Sequence, residues 1–307
     1  MKAIQYKDFG NSDVIELVEV SKPSIQTPDD ILIQVKTASV NPLDYKIRLG
    51  YMQKMRPVKL PFTPGLDAAG IVVAVGENVK KFKIRDEVIA VTMANAYAEY
   101  VIANQNFVTL KPQNTSFEEA TALAVNVGTA ESILFTEGKL QAGQKVLIQG
   151  AAGAVGATMV QMAKNAGLYV VATASGQGID LVKRLGADEV VDYNTQDVST
   201  LVKDIDLVAD CAGGSSQDKL FEVIKKGGKL LSIAGIPSQE LAQKYQVEAY
   251  FVSSNLFAKN LENGLKLVTE GKLKVLVTKT FPLSEAALAQ DMLAQGGVNG
   301  KVVLTIG

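Results

Sequence analysis

The sequence predicts a two-domain α/β protein that combines a doubly wound parallel sheet with a smaller, largely β domain. Its 307 residues exceed what a single hydrophobic core usually serves. Strand-like runs alternate with helical patterns from about Leu123 to Gly271, whereas strand-like runs separated by turn residues fill the chain before them. The tail returns to strand-like runs and is too short to fold alone. We therefore expect a discontinuous β domain, 1–123 with 271–307, around a parallel-sheet domain, 124–270.

Each domain has its own sequence of expected elements. The strands expected in the β domain are Ala3–Tyr6, Val14–Val20, Ile31–Thr37, Ala69–Val75, Glu87–Val91 and Ala98–Ile102. Those expected in the parallel sheet are Val146–Ile148, Leu168–Thr173, Glu189–Val191, Ile205–Asp210, Lys229–Ala234 and Val247–Val252. Helices are expected near Val155–Ala166 and Ile179–Leu185, and the tail reads as strand Lys274–Phe281, helix Ser284–Ala294 and strand Lys301–Ile306.

A glycine-rich turn joins the first parallel strand to its helix, in the segment Lys145–Gly156, KVLIQGAAGAVG. Ala151, Gly153 and Gly156 fall at the G-x-G-x-x-G spacing, with alanine in the first position. Such a turn directs unpaired helix N–H groups at whatever lies beyond it, and a pyrophosphate suits that position. An ordinary βα turn is the alternative, but the strand–helix alternation that follows favours a dinucleotide site. The residues predicted to bind the cofactor here are Ala152, Gly153, Ala154, Val155 and Gly156.

The overall composition argues against several classes of partner. The formal net charge is −1, which offers no electrostatic footprint for nucleic acid or an anionic membrane. No apolar run approaches the ~20 residues that span a bilayer, and the N-terminus lacks a signal-peptide core. The single cysteine, Cys211, excludes an internal disulfide and fits a reducing compartment. We expect a cytoplasmic protein that acts on a small molecule.

The sequence contains no histidine, which restricts its chemistry more than any other compositional fact. Histidine triads and a histidine general base are therefore impossible. Protein zinc sites draw mainly on cysteine and histidine, so one cysteine without histidine nearly excludes zinc. An oxygen-only Mg²⁺ or Ca²⁺ site stays open, although no D-x-D-x-D-G spacing suggests one.

Six segments in fixed order resemble the medium-chain dehydrogenase/reductase superfamily, in its zinc-free quinone oxidoreductase and enone reductase branch. They are Ala38–Gly50, Pro64–Val79, Ala96–Val101, Gly150–Gly156, Leu185–Tyr193 and Asn299–Leu304. The resemblance covers essentially the whole chain and implies a GroES-like β-barrel domain, a Rossmann domain and a homodimer. Zinc-dependent members carry Gly-His-Glu where this chain has Gly65-Leu66-Asp67, so the motif also argues against zinc.

The end of the second parallel strand bears on the choice of nicotinamide cofactor. NAD-binding turns place a carboxylate there to grip the ribose hydroxyls, but this chain reads Ala-Thr-Ala-Ser-Gly-Gln from Ala172. Ser175 is able to donate to a 2′-phosphate, and Tyr193 matches a tyrosine that the family places near it. Gln177 stands where many relatives have a lysine or arginine. We expect NADPH to be preferred over NADH, but less strictly than in those relatives.

The resemblance also implies the remaining site residues. The implied catalytic residues are Asn41, Tyr45 and Lys46. The further implied cofactor contacts are Pro42, Leu43, Asp44, Thr129, Cys211, Gly235, Phe251 and Lys301. Plainer interpretations stay open: an Asn-Pro turn for Asn41, a helix N-terminal threonine for Thr129, and a strand-edge lysine for Lys301. Lys46 either stabilises enolate charge or binds the cofactor.

These observations predict an NADPH-dependent reductase of quinones or α,β-unsaturated carbonyls. Hydride addition to either acceptor leaves a delocalised anion that takes its proton from water, so the reaction requires neither a metal nor histidine. A 2-enoyl thioester reductase of the same superfamily is the first alternative, although Lys54, Arg56 and Lys59 make only a thin basic patch for its carrier. A non-catalytic NADPH-binding or sensing protein is the second, because no catalytic side chain is obligatory.

Overall fold

The computed structural model describes residues 1–254 and 256–307. The strands are β1 (Lys2–Gln5), β2 (Glu16–Glu19), β3 (Asp30–Val40), β4 (Asp67–Val75), β5 (Glu87–Val91), β6 (Tyr100–Asn104), β7 (Val108–Leu110), β8 (Lys145–Gln149), β9 (Tyr169–Ala174), β10 (Glu189–Asp192), β11 (Ile205–Asp210), β12 (Ile224–Ser232), β13 (Glu248–Phe251), β14 (Val277–Pro282) and β15 (Lys301–Thr305). The α-helices are α1 (Pro42–Arg48), α2 (Phe117–Glu131), α3 (Ala154–Asn165), α4 (Gln177–Arg184), α5 (Val198–Leu201), α6 (Gln239–Tyr245), α7 (Glu262–Thr269) and α8 (Ala286–Gln295).

The chain divides into two compact units. The first comprises Met1–Val125, Leu256–Lys259 and Val275–Gly307, and the second comprises Asn126–Asn255 and Asn260–Lys274. The tail elements β14, α8 and β15 therefore belong to the same unit as the N-terminal strands.

The second unit is built on a six-stranded sheet in the order β10-β9-β8-β11-β12-β13. Every neighbouring pair in it is parallel. Counted from β8, this is the 3-2-1-4-5-6 order of a doubly wound Rossmann sheet. The predicted α/β class with a parallel sheet is confirmed. Between β8 and β11 the strand order reverses, which is where such sheets bind ligands.

The first unit is built on a larger, mostly antiparallel sheet. Its order is β14-β15-β3-β4-β5-β7, and β6 also pairs with β3. The long central strand β3 is buried along most of its length because β15, β4 and β6 all pair with it. Aliphatic side chains from these strands and from α8 form one core, which includes Ile33, Val72 and Leu304.

Sequence patterns missed some helices. Helix α2 was not predicted, because small and apolar residues occupy most positions of FEEATALAVNVGTAE and leave no polar stripe of helical period. Helices α6 and α7 were missed as well. The predicted strands differ from the observed ones mainly at their ends: Ile31–Thr37, for example, extends to Asp30–Val40.

Within the described ranges, no helix combines the length and apolarity needed to cross a bilayer.

Candidate active site

Strand register in the first unit brings together polar residues that lie far apart in the sequence. Strand β15 pairs antiparallel with β3, with Val302 opposite Val40, so Lys301 lies beside Asn41 one step further. Strand β4 pairs with the other side of β3, with Ala68 opposite Ala38, which places Asp67 beside Ser39. We call Ser39, Asn41, Asp67 and Lys301 the buried polar cluster, because none of them is more than 3% exposed.

The side-chain amide of Asn41 links the members of this cluster. Lys301 Nζ donates to Asn41 Oδ1 at 2.5 Å. Asn41 Nδ2 donates to Asp67 Oδ1 at 2.9 Å and to Ser39 Oγ at 3.1 Å, while Ser39 Oγ donates to Asp67 Oδ1 at 2.5 Å. Both ends of the amide are therefore engaged, and its orientation is set by an ammonium on one side and a carboxylate on the other.

Burial perturbs the charged groups of the cluster. The pKa of Asp67 is raised by burial, against the opposing effects of Lys301 and of hydrogen bonds from Ser39 and Asn41. The pKa of Lys301 is lowered by burial, against the favourable charges of Asp67 and Asp44. Asp67 Oδ2 is buried and has no hydrogen-bond partner among the described residues. Such an oxygen is costly to bury, so the cation of Lys301 is its main compensation.

Asn41 also begins helix α1, with Pro42 at the first helical position. Asp44 Oδ2 accepts from the Asn41 backbone N–H at 2.8 Å and from the Tyr97 hydroxyl at 3.0 Å, and its Oδ1 accepts from the Gly65 N–H at 3.2 Å. These donors favour the carboxylate, but complete burial outweighs them and raises the pKa of Asp44 to about 6. Asn41 thus does occupy an Asn-Pro turn, as the cap of helix α1. Its side-chain amide also forms hydrogen bonds within the buried polar cluster.

The other residues predicted on α1 are more accessible. Pro42 is exposed, while Leu43, Tyr45 and Lys46 are half-buried. Burial raises the pKa of the Tyr45 hydroxyl. Lys301 is not a strand-edge lysine, because β15 lies between β14 and β3. That plainer interpretation was wrong.

The glycine-rich turn of the second unit fits a pyrophosphate. Gly150 has φ +73°, and helix α3 begins at Ala154 with Gly153 before it and no side chain capping its first N–H groups. A Cβ on Gly156 would lie 2.4 Å from Gly150 O and 2.7 Å from Ala151 Cα. Glycine therefore lets the helix pack directly on the turn. A Cβ on Gly153 would meet only Gly150 O, at 3.4 Å, so that side of the turn is open to a ligand.

At the end of β9, the residues predicted to bind the 2′-phosphate lie at the surface. Ser175 Oγ donates to the Tyr193 hydroxyl at 2.6 Å, so the structure brings these two together. Tyr193 is 60% exposed, and Gln177 is exposed at the first position of α4. Gly176 precedes it with φ +51°. No carboxylate lies between Ala172 and Gln177.

The remaining predicted contacts lie at strand ends or in a helix. Cys211 follows β11, and burial raises the pKa of its thiol, with a further increase from Asp210. Gly235 follows β12, and Phe251 ends β13 at 37% exposed. Thr129 is buried near the end of α2, which begins twelve residues earlier at Phe117 and continues as π-helix over Ser132–Glu137. The helix N-terminal interpretation of Thr129 was therefore wrong.

Sequence reasoning missed several polar residues around these positions. In the first unit they are Ser39, Asp67 as a partner of Asn41, and Tyr97; in the second they are Asp210, Gln217 and Ser232. The available signal was a polar residue at a position where the strand pattern requires an apolar one, as for Asp67 before a run of buried residues.

Comparisons with known proteins identify the family of this chain. A family profile described as "Alcohol dehydrogenase GroES-like domain" matches residues 27–113, and one described as "Zinc-binding dehydrogenase" matches residues 185–304. The chain is 33% identical to the chloroplastic quinone-oxidoreductase homolog of Spinacia oleracea, over 99% of this chain and 98% of the relative. It is 35% identical to the chloroplastic "NADPH-dependent alkenal/one oxidoreductase" of Arabidopsis thaliana, over 99% of this chain and 79% of the relative.

A solved structure is similar to this chain over its whole length. The quinone oxidoreductase from Coxiella burnetii matches with a TM-score of 0.93 and 32% identity, over 100% of this chain and 99% of that one. One profile name refers to zinc, yet the sequence holds one cysteine and no histidine. In the ranges described above, no group of three or more cysteine, aspartate or glutamate residues is placed to hold a metal ion. The chain belongs to the medium-chain dehydrogenase/reductase superfamily, in its quinone oxidoreductase and enone reductase branch.

Proposed function

We propose that this protein is an NADPH-dependent oxidoreductase that reduces quinones or α,β-unsaturated carbonyls without zinc. One observation carries the proposal: relatives that match 99% of this chain at 33% and 35% identity are named for these two substrate classes, and one of them for NADPH. The end of β9 supports NADPH, since a carboxylate that would repel a 2′-phosphate is missing between Ala172 and Gln177.

The second unit supplies the elements that suit a dinucleotide. The backbone N–H groups at the start of α3 bind pyrophosphate, and the absence of a side chain at Gly153 permits close approach. The hydroxyls of Ser175 and Tyr193, which hydrogen-bond to each other at the exposed end of β9, would hold a 2′-phosphate. When bound, the reduced nicotinamide supplies the hydride.

The first unit supplies an electrostatic environment instead of a general base. Lys301 provides a buried positive charge whose position is set by Asn41, and Asp67 compensates that charge. A cation is the kind of group that stabilises the anion left by hydride addition on a quinone or enone oxygen. Tyr45 and Lys46, both half-buried on α1, are our candidates for contact with the substrate. The delocalised product anion takes its proton from water.

A screen of NADPH oxidation tests the proposal. The purified full chain is assayed with a quinone, a 2-alkenal, a cyclic enone and a short enoyl-thioester, each with NADPH and with NADH, and with and without a chelator. We expect turnover of a quinone or an enone, a higher kcat/KM with NADPH, and no effect of the chelator. Equal or better turnover with NADH would contradict the cofactor assignment.

The same screen separates the two alternatives. A kcat/KM that is highest for the enoyl-thioester would indicate an enoyl-thioester reductase. Tight NADPH binding with negligible oxidation across the panel would indicate a binding or sensing protein. Loss of activity with the chelator would overturn the zinc-independent mechanism.

We also propose a cytoplasmic homodimer, as the resemblance implies. Strand β13 ends the parallel sheet, and an unpaired edge of this kind accepts a strand from a second copy. Light scattering after size exclusion gives the mass, and cell fractionation gives the location. A monomer at micromolar concentration, or recovery with membranes, would overturn the corresponding part.

A further inference from the structure

Three neighbouring parallel strands of the second unit end in polar residues that lie side by side. Asp210 at the end of β11 pairs in register with Gln149 at the end of β8 and with Ser232 at the end of β12. Asp210 and Ser232 are fully buried, and Gln149 is 7% exposed. Buried polar groups at three adjacent strand ends are costly unless hydrogen bonds satisfy them, so their partners indicate what they do.

The carboxylate of Asp210 accepts four hydrogen bonds. Its Oδ1 accepts from the backbone N–H groups of Ala212 at 3.0 Å and Gly213 at 2.8 Å, which closes the loop after β11 onto the strand end. Its Oδ2 accepts from Gln217 Nε2 at 2.7 Å and from Ser232 Oγ at 2.8 Å. Both oxygens of the side chain are therefore occupied by two donors each.

Ser232 extends the same network to the loop after β12. Its Oγ donates to Asp210 and accepts from the backbone N–H groups of Ala234 and Gly235, both at 3.1 Å. The two loops also touch: Gly213 has φ +67°, and a Cβ added there would lie 3.0 Å from the Cβ of Ala234. The loop after β11 and the loop after β12 therefore share a single buried anchor.

We propose that Asp210 is a positioning residue, which holds these two loops in one arrangement so that together they receive the dinucleotide. The inference rests on the proposed function, because Cys211 and Gly235 are the predicted cofactor contacts on the two loops. Asp210 itself is buried beneath them and acts through backbone N–H groups and through Ser232. Pre-organised loops bind a ligand more tightly because less conformational entropy is lost on binding.

Gln149 supports a polar ligand at this end of the sheet. Its Nε2 donates to Ser216 Oγ at 2.7 Å, in the segment that follows the loop after β11. Its Oε1 is buried and has no partner among the described residues. An unsatisfied buried acceptor at a strand end, next to the glycine-rich turn, suits a site that a polar molecule completes.

The test compares two carboxylates on the same strand. Asp206 lies near the amino end of β11, where it accepts from the Lys145 N–H at 2.7 Å and from Gln144 Nε2 at 3.0 Å. Asp206 also forms an ion pair with Lys225, so Asp206→Asn perturbs a well-bonded carboxylate at the end of the strand that we expect to be remote from the cofactor. The variants Asp210→Asn, Asp210→Ala, Ser232→Ala and Asp206→Asn are compared with wild type in the full chain.

The measured quantities are the Kd for NADPH by calorimetry, the kcat at saturating NADPH, and the Tm. We expect Asp210→Ala and Ser232→Ala to raise the Kd about tenfold, with kcat changed less than about threefold, as expected when ground-state binding alone is weakened. Asp210→Asn retains the Oδ1 contacts and is expected to lie between wild type and Asp210→Ala. Asp206→Asn is expected to lower Tm and leave the Kd within about twofold.

The outcomes separate this inference from the proposed function. Wild-type protein that fails to bind NADPH overturns both. Wild-type binding together with an unchanged Kd in Ser232→Ala overturns the positioning role alone, and this variant decides the question if Asp210→Ala does not fold. The positioning role is also overturned if Asp206→Asn raises the Kd as much as the Asp210 and Ser232 variants do for the same loss of Tm. The rise in Kd would then reflect general destabilisation.

Discussion

The two compact units bring polar groups to their functional regions in opposite ways. In the first unit, polar side chains from three strands and from the start of α1 meet in the buried polar cluster, and Lys301 and Asn41 are separated by 260 residues. In the second unit, the glycine-rich turn presents mainly backbone N–H groups, within twelve consecutive residues of the chain. A long-range network of charges depends on strand register, whereas a turn of this kind depends on local conformation.

The difference has consequences for mutation. Removing one charge from the buried polar cluster leaves another charge uncompensated in a dry interior, so its effect on stability is large. Adding a methyl group in the turn creates a local overlap, whose cost depends on how far the helix shifts. We therefore expect charge substitutions in the first unit to lower the free energy of unfolding more than packing substitutions in the second unit do.

The largest effect is expected for the Lys301–Asp67 pair. Lys301→Met leaves the Asp67 carboxylate buried without its main cation, and Asp67→Asn leaves the Lys301 ammonium with the charge of Asp44 alone. Each single substitution is expected to lower the free energy of unfolding by about 3–5 kcal/mol, and the double substitution by much less than the sum. Urea unfolding measures these values.

A more exposed ion pair provides the control for that cycle. Lys164 Nζ lies 2.7 Å from Asp188, and both side chains are about 30% exposed. Lys164→Met is expected to cost about 1 kcal/mol or less. Two results would contradict the role assigned to burial. One is an equal loss of unfolding free energy in Lys164→Met and Lys301→Met, and the other is additive losses in the Lys301–Asp67 cycle.

The second prediction concerns the pH dependence of stability at Asp44. Its pKa is about 6 in the folded protein and 3.8 ordinarily, so it contributes most stability below pH 3.8 and loses that contribution as the pH rises through about 6. The unfolding free energy of wild type relative to Asp44→Asn is expected to fall by about 3 kcal/mol across this window. Urea unfolding of both proteins at several pH values measures it. A difference independent of pH would contradict the raised pKa.

The third prediction separates packing from binding in the glycine-rich turn. Gly156→Ala places a Cβ 2.4 Å from Gly150 O, so we expect a loss of about 1–3 kcal/mol in stability and weaker NADPH binding. Gly153→Ala meets its nearest atom at 3.4 Å and is expected to cost less than about 1 kcal/mol while still weakening NADPH binding. Unfolding and calorimetric titration measure the two effects. Equal stability of the two variants would contradict the packing argument for Gly156.

The smallest effect is expected at the exposed end of β9. Ser175→Ala and Tyr193→Phe each remove a hydroxyl at the surface and are expected to raise the KM for NADPH about two- to fivefold, leaving the KM for NADH unchanged. Tyr169→Phe is the control, because Tyr169 begins the same strand and its hydroxyl donates to Glu189 instead, at 2.6 Å. A matching rise in the KM for NADH would contradict a role in recognising the 2′-phosphate. The hydroxyls would then contact the ribose or stabilise the local structure.

Local signals account for the features of this protein that were predicted correctly. The parallel sheet followed from alternating apolar strands and helical patterns, and the glycine spacing predicted the turn before α3. Helix α2 was not predicted, because it is apolar on most of its surface and its sequence therefore shows no helical period of polar and apolar residues. The helix N-terminal alternative for Thr129 stayed open for the same reason.

Residue types and short spacings were enough to predict the fold class and the glycine-rich turn before α3, because both depend on patterns within short segments. The folded chain alone reveals that Asn41 orients Lys301, that Asp67 compensates the charge of Lys301, and that Asp210 joins two loops through Ser232. Those contacts depend on the register between strands that are distant in the chain. Register is set by the burial of whole strand faces, which no local pattern records.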